Sequence, residues 1–206
     1  MHLQRSTTAR TRATAALTLT LVLLTGCAAQ KSTMPGVTGA PTTTPTSTPT
    51  ATATADGIQE TSDPDLGIVF EDVPDLTGTE ADVYDAAATF QKEYWRMMTT
   101  LEVSPAFSVI AAPDIAARMQ EIADNNAAQS AVIAGTFHTT ISDVTVSDET
   151  ATARVCDDYR EVTVADADGT YTAEEAGLES LAVDVTLGKA AHGGWTVLAN
   201  ESAGAC

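Results

Sequence analysis

The sequence predicts an α+β domain, with helices first and a sheet after, carried on a long unfolded lead. Three observations predict it. Between residues 77 and 135 apolar residues recur at helical intervals, whereas after Gly135 they recur with a period of two. Before about residue 57, large apolar side chains almost vanish once a short N-terminal apolar run has ended. A block of helices followed by a block of strands is the α+β order, and the expected arrangement is N-terminal helices packed on a curved antiparallel sheet of about four strands.

The N-terminal run comes first. Arg5, Arg10 and Arg12 make a positive segment, and Ala15 to Leu24 is an apolar stretch broken only by Thr18 and Thr20. Its length fits the roughly 7 to 15 residues of a signal-peptide core and not the ~20 of a spanning helix. It closes on Leu24-Thr25-Gly26-Cys27, which resembles the lipobox of bacterial lipoproteins. That resemblance implies removal of residues 1–26, a diacylglyceryl group on Cys27, and often a further acyl chain such as palmitate on the new amine. Two or three chains hold a protein stably where one does not. The expectation is therefore a lipid-anchored protein on the extracytoplasmic face of the cell membrane, with the bilayer as its first partner. An ordinary secretory signal with an incidental Cys27 is the alternative.

The acidic residues number 28 and the basic ones ten, three of the latter before Cys27, so the mature chain would carry 7 − 28 = −21. Such a charge keeps a domain soluble and disfavours nucleic acid, whose phosphates need a basic surface. Residues 27–56 hold the lipidation site and a stalk that includes Pro41 to Thr54, an alternation of Thr, Pro, Ala and Ser with nothing to bury. Such a stretch suits an extended tether, O-glycosylated or bare. Residues 57–75 are acidic and turn-rich and are expected as an extended lead-in, with Leu66 to Phe70 an apolar island that docks at an edge; the domain proper is placed at 76–206.

In the domain, Thr77 and Thr79 are candidate N-caps and Thr77 to Glu80 fits the capping-box spacing. Val83, Ala87, Phe90, Tyr94, Met97 and Leu101 then share one helical face, with Tyr84, Ala88, Trp95 and Met98 in a stripe beside it, so this helix is covered on more than one side. Ser104-Pro105 opens a short helix. After Ala112-Pro113, Ile115, Met119 and Ile122, and later Val132 and Ile133, suggest a third, with a break near Asn125-Asn126 and a stop at Gly135. The expected strands run from Thr136 to Val146, with a bulge near Ser142-Asp143, then from Thr150 to Val164, then through Leu181 to Leu187, and last from Trp195.

A long aromatic-bearing helix, two shorter ones, and bulged strands ending in Gly194-Trp195-Thr196-Val197 together resemble the nuclear transport factor 2-like family, the cone shared with ketosteroid isomerases and polyketide cyclases. Within it, the secreted actinobacterial lipoproteins are the most similar, through Cys156-Asp157-Asp158 in a middle strand and Cys206 at the end; the high Ala and Thr content agrees. The resemblance implies a pocket between helices and sheet. It also implies a Cys156–Cys206 disulfide, and the count agrees, since Cys27 taken by lipid leaves an even pair in an oxidising setting; two separate thiols are the alternative.

Candidate chemistry is sparse. The pocket candidates are Phe90, Tyr94, Trp95, His138 and Tyr159. His138, Asp143, Asp157, Asp158, Tyr159 and Asp184 fall on expected strands, yet none matches a catalytic motif, so no catalytic residue is assigned. No His, Cys or Glu set has metal-ligand spacing, so neither metal nor cofactor is expected. Val164 to Glu175 partly fills a calcium-loop pattern, but Val164 stands where the first chelating Asp belongs, and the stretch reads as a polar hairpin with Asp168-Gly169 at its turn. The expected function is a non-catalytic binding or interaction module of the cell envelope, its partner an unidentified envelope protein or small ligand. The alternative is a small isomerase- or cyclase-like enzyme using a carboxylate or His in the cone. A cone filled by Phe90, Tyr94, Trp95 and Phe137 favours the first, and an open pocket with an inward carboxylate the second.

Overall fold

A computed structural model of the chain describes residues 56–178, 180–191 and 193–206. The expected signal peptide 1–26, Cys27 and all but the last residue of the expected 27–56 stalk lie outside the described residues. Among the described residues, three helices and six strands follow in the order β1 (Ile68–Glu71), α1 (Gly78–Thr100), α2 (Phe107–Ile110), α3 (Pro113–Ala128), β2 (Val132–Ser147), β3 (Thr150–Ala165), β4 (Thr170–Thr172), β5 (Leu181–Lys189) and β6 (Trp195–Gly204). The protein is α+β, and its sheet is mixed but mostly antiparallel, in the order β1-β2-β3-β5-β6 with β4 beside β3.

The sheet has six strands, against an expectation of about four, and both extra ones are short. β4 is three residues inside the acidic loop, too brief for alternation to register. β1 pairs in parallel with β2, Ile68 opposite Phe137, and Ile68 and Phe70 are buried. Residues 68–71 of the 57–75 segment thus form an edge strand of the sheet, at the place where the Leu66 to Phe70 island is expected to dock. Gly67 turns at φ +76°, and a Cβ there would lie 2.9 Å from the Gly135 carbonyl oxygen, so only glycine lets β1 approach β2.

α1 ends at Leu101, which takes the left-handed conformation and donates its N–H to the Met97 carbonyl. Thr77 is its N-cap residue in backbone terms, but its side chain makes no capping bond. The nearby carboxylate of Asp85 instead accepts the Gln59 and Glu60 N–H groups, fastening the incoming chain to the helix. Ser104 Oγ accepts the Ala106 N–H just before α2.

The third helix is shorter than expected. Pro113 takes its first turn, the helix stops at Ala128, and Ser130 at φ +55° reverses the chain. Val132 and Ile133 therefore open β2 and do not close a helix. Gly135 lies inside this strand: its φ is +111°, and an added Cβ would stand 2.2 Å from the Glu161 carbonyl oxygen. The expectation of a helix stop there fails because local sequence does not distinguish a C-terminal glycine from one that admits a neighbouring backbone.

Bulges curve the sheet. Pairing slips between Ser142 and Thr145, with Asp143 at φ +50°, at the phase break seen in the sequence. A second slip sets Thr136 opposite Glu161 but His138 opposite Asp158, giving β3 the extra residue. Inward positions on β3 are therefore Val155, Asp157 and Tyr159, then Val162. α1 packs along the concave face, chiefly over β2, and α2 and α3 close the side near β6. Bending the strands this way brings residues from β3, β5 and β6 around one interior space.

The Cys156–Cys206 disulfide is formed, with the Cα atoms 5.9 Å apart. Cys156 is opposite Ala182 of β5, which is in turn opposite Gly204 of β6. The tail turns at Gly204, φ +98°, and returns across β5 to reach Cys156.

Candidate functional site

The interior is filled on one side and open on the other. Toward β1 it is solid aromatic packing: Trp95 stacks on Phe137 with centroids 5.1 Å apart, and Phe137 lies 5.1 Å from Tyr159 and 6.2 Å from Tyr94. Trp95 also donates its indole N–H to the Leu66 carbonyl at 3.0 Å. Toward β5 and β6 there is a cavity of about 250 Å³. Its walls are mostly apolar, from Phe90, Met119, Val155 and Val185, with a few polar groups.

The floor is polar. Asp157, 5% exposed, lines the cavity from β3. Its Oδ1 accepts Gln91 Nε2 at 2.8 Å and Thr139 Oγ1 at 3.1 Å. Among the described residues Oδ2 has no protein partner. Burial pushes the carboxyl up to about 7, and the bonds from Thr139 and Gln91 offset only part of that. Near neutrality the group is therefore divided between acid and carboxylate, able to donate or accept through Oδ2. Beside it the hydroxyls of Tyr94 and Tyr159 lie 3.1 Å apart and line the same cavity. Burial pushes Tyr94 up to about 12 and Tyr159 higher still, so both remain hydroxyls.

At the rim, Arg118 of α3 is exposed and donates to Asn200 Oδ1 of β6 at 2.9 Å. Ser202 lies beside them in the lining.

Of the residues expected at a pocket, Phe90, Tyr94 and Tyr159 line the cavity. Trp95 does not; one helical position on from Tyr94, it turns to the Phe137 side. His138 is also elsewhere: its position on β2 alternates with the inward Phe137 and Thr139, so its ring points to the outer face. There Nδ1 is 2.8 Å from Glu71 and Nε2 is 3.3 Å from Glu161. The Glu71 hydrogen bond raises its pKa first, with Glu161 adding to it. Asp158 faces outward too and pairs with Arg160, and Asp184 pairs with Arg154 at 2.8 Å. The acidic loop is a β3–β4 hairpin in which Asp166 accepts the Asp168 and Gly169 N–H groups.

Sequence reasoning missed Gln91, Thr139 and Arg118. Gln91 had a signal: it falls four residues after Ala87 and three before Tyr94, a polar residue on an otherwise apolar stripe. Thr139 had one as well, standing in phase with Phe137 and Ile141. Arg118 had none, since one arginine on an exposed helix face is ordinary.

The fold and the site together define an α+β domain holding a small apolar cavity with a polar floor. No family model matches the chain, and no curated protein matches it. Among solved structures, the intermembrane space region of the chloroplast protein ARC6 is similar at TM-score 0.42 and 12% identity, over 58% of this chain and 95% of that one. A conserved protein from Planctomyces limnophilus gives 0.38 and 12%, over 57% and 94%. A de novo designed β-sheet protein gives 0.31 and 16%, over 60% and 88%.

Proposed function

We propose that this protein is a bacterial envelope lipoprotein, anchored through lipid on Cys27 and raised on its Thr/Pro stalk, whose domain is of the nuclear transport factor 2-like type and binds a small, mostly apolar molecule. The observation that carries the binding reading is the 250 Å³ cavity beside a buried carboxyl that has one oxygen unused by the protein. A buried carboxyl whose pKa burial raises, facing an apolar cleft, is a functional-site candidate on physical grounds. A 150 Å³ apolar cavity takes benzene, so about 250 Å³ suits roughly ten non-hydrogen atoms. A hydroxyl or carbonyl on that molecule completes the hydrogen bonding of Asp157.

The anchoring reading rests on the lipobox, and the absence of acidic residues before Cys27 supports it. Detergent-phase partitioning of the protein made in bacteria tests it. Wild type enters the detergent phase and Cys27→Ala stays in the aqueous phase; equal partitioning refutes the lipid. Binding is tested by titrating the protein with benzamide, a neutral ligand of fitting size. Wild type binds it, and Ala87→Leu, which extends the α1 wall into the cavity, does not; equal binding by both places the ligand elsewhere.

A second reading, a proton-transferring enzyme, is favoured by one observation. A carboxyl with a pKa about 7 stands in the same cavity as two tyrosyl hydroxyls. In that reading Asp157 Oδ2 takes a proton from carbon next to a carbonyl and returns it, while a tyrosyl O–H donates to the carbonyl oxygen. Asp157→Asn separates the readings, since a binding protein keeps its ligand in that variant whereas an enzyme loses turnover.

A further inference from the structure

The charge pattern around the cavity says more about its ligand. Residues 56–206 contain six basic and all 28 acidic side chains, a balance of 6 − 28 = −22. In such surroundings a basic side chain is expected to find a carboxylate, and four do. Lys92 pairs with Glu60 at 2.6 Å, Arg154 with Asp184 at 2.8 Å, Arg96 with Glu93, and Arg160 with Asp158. Lys189 lies 6.0 Å from the centre of the Trp195 ring. Arg118 is the remaining one, and among the described residues it is the single guanidinium without an acidic partner.

Arg118 is at the cavity rim. It spends one N–H on Asn200 Oδ1, and a guanidinium carries five such donors in a planar fork suited to a carboxylate. That bond also orients the Asn200 amide, whose Nδ2 has no partner among the described residues. Ser202 adds a hydroxyl from the same strand. Donors converge on the rim, and the one acidic group in the lining, Asp157, is at the buried floor. A ligand carboxylate is therefore attracted to the rim and repelled from the floor, which fixes the direction in which it enters.

We propose that the ligand is a small monocarboxylic acid, its carboxylate held by Arg118, Asn200 and Ser202 at the rim and its mostly apolar body inside the cavity, with any hydroxyl or carbonyl on that body facing Asp157. The inference rests on the binding reading above and adds the ligand's charge and orientation. It names a chemical class, aromatic or aliphatic acids of about ten non-hydrogen atoms, by the same volume comparison.

The test compares benzoate with benzamide at pH 7.4, two ligands of one size and shape that differ in charge, titrated into the full chain carrying Cys27→Ser so that no lipid is attached. The expected result is benzoate binding about tenfold tighter than benzamide, the scale of one charge-assisted hydrogen bond. In Arg118→Gln the preference disappears, and in Arg118→Lys it partly returns. Thermal unfolding of each variant reads any structural role of the Arg118–Asn200 bond separately. Equal binding of the two ligands by wild type, or a preference that survives Arg118→Gln, overturns the acid assignment and leaves the cavity reading standing. Binding of neither ligand overturns both.

Discussion

Replacing Asp157 with asparagine should make the domain more stable at alkaline pH, and the structure sets the size of the effect. The amide side chain would keep its carbonyl oxygen where Oδ1 accepts Gln91 and Thr139, with no charge to bury. In the wild type, burial raises the folded-state pKa from 3.8 to about 7. The folded protein therefore holds a proton that the unfolded chain releases between these two values. Stability contributed by this group is complete below about pH 4 and falls as pH rises, until the loss levels off above about 7. The span of about 3 units at about 1.4 kcal/mol each is roughly 4 kcal/mol. Denaturant unfolding of wild type and Asp157→Asn, measured at half-unit intervals from about pH 4 to 8.5, isolates this term because all other carboxylates cancel in the difference. The difference should be near zero at pH 4 and favour the variant by a few kcal/mol at pH 8. A difference that does not change with pH, or a variant less stable than wild type at pH 8, would refute the claim that Asp157 is buried with an elevated pKa. The retained destabilising carboxylate would then need no functional explanation.

Other perturbations have expected outcomes of their own. Cys206→Ala opens a bridge spanning 50 residues, and by the chain-entropy model it should lower stability by about 4 kcal/mol; an unchanged denaturation midpoint would contradict this. Gly135→Ala sets a Cβ against the Glu161 carbonyl at 2.2 Å and should cost on the order of 3 kcal/mol or prevent folding, read by thermal unfolding or soluble yield. His138→Gln removes a ring held between Glu71 and Glu161. Because its folded pKa is raised, wild type should show an extra stability present below about 6.5 and lost at higher pH. That extra is at most about 1 kcal/mol for so exposed a pair, and it should be absent from the variant's pH profile.

The fold is readable where burial imposes a period. The α1 stripe, the alternation on β2, β3 and β5, and the bulge at Asp143 all leave marks in the order of residues. What stays hidden is decided by contacts between distant segments. β1 is four residues long, so its parallel pairing with β2 across three helices has no local signature. Gly135 and the start of β2 escape a local reading because the reason for the glycine is the Glu161 backbone. The site is half visible for a similar cause. Tyr94 and Tyr159 belong to apolar patterns and so point inward, and Asp157, two residues after Val155 and two before Tyr159, shares that inward phase; what the sequence hides is the extra β3 residue after Tyr159, which pairing with β2 sets. His138 stands out by its chemistry, while its alternation with the inward Phe137 and Thr139 already places it outside.

The central claim is that the cavity between α1 and the β3–β5–β6 strands holds a small molecule. Its most direct test is to purify the protein from the cells that make it, denature it, and identify the released small molecules by mass spectrometry, beside Ala87→Leu prepared in the same way. The account predicts a compound of roughly ten non-hydrogen atoms that is near stoichiometric with wild type and absent from the variant. Finding no such compound with wild type, or finding it equally with Ala87→Leu, would contradict it.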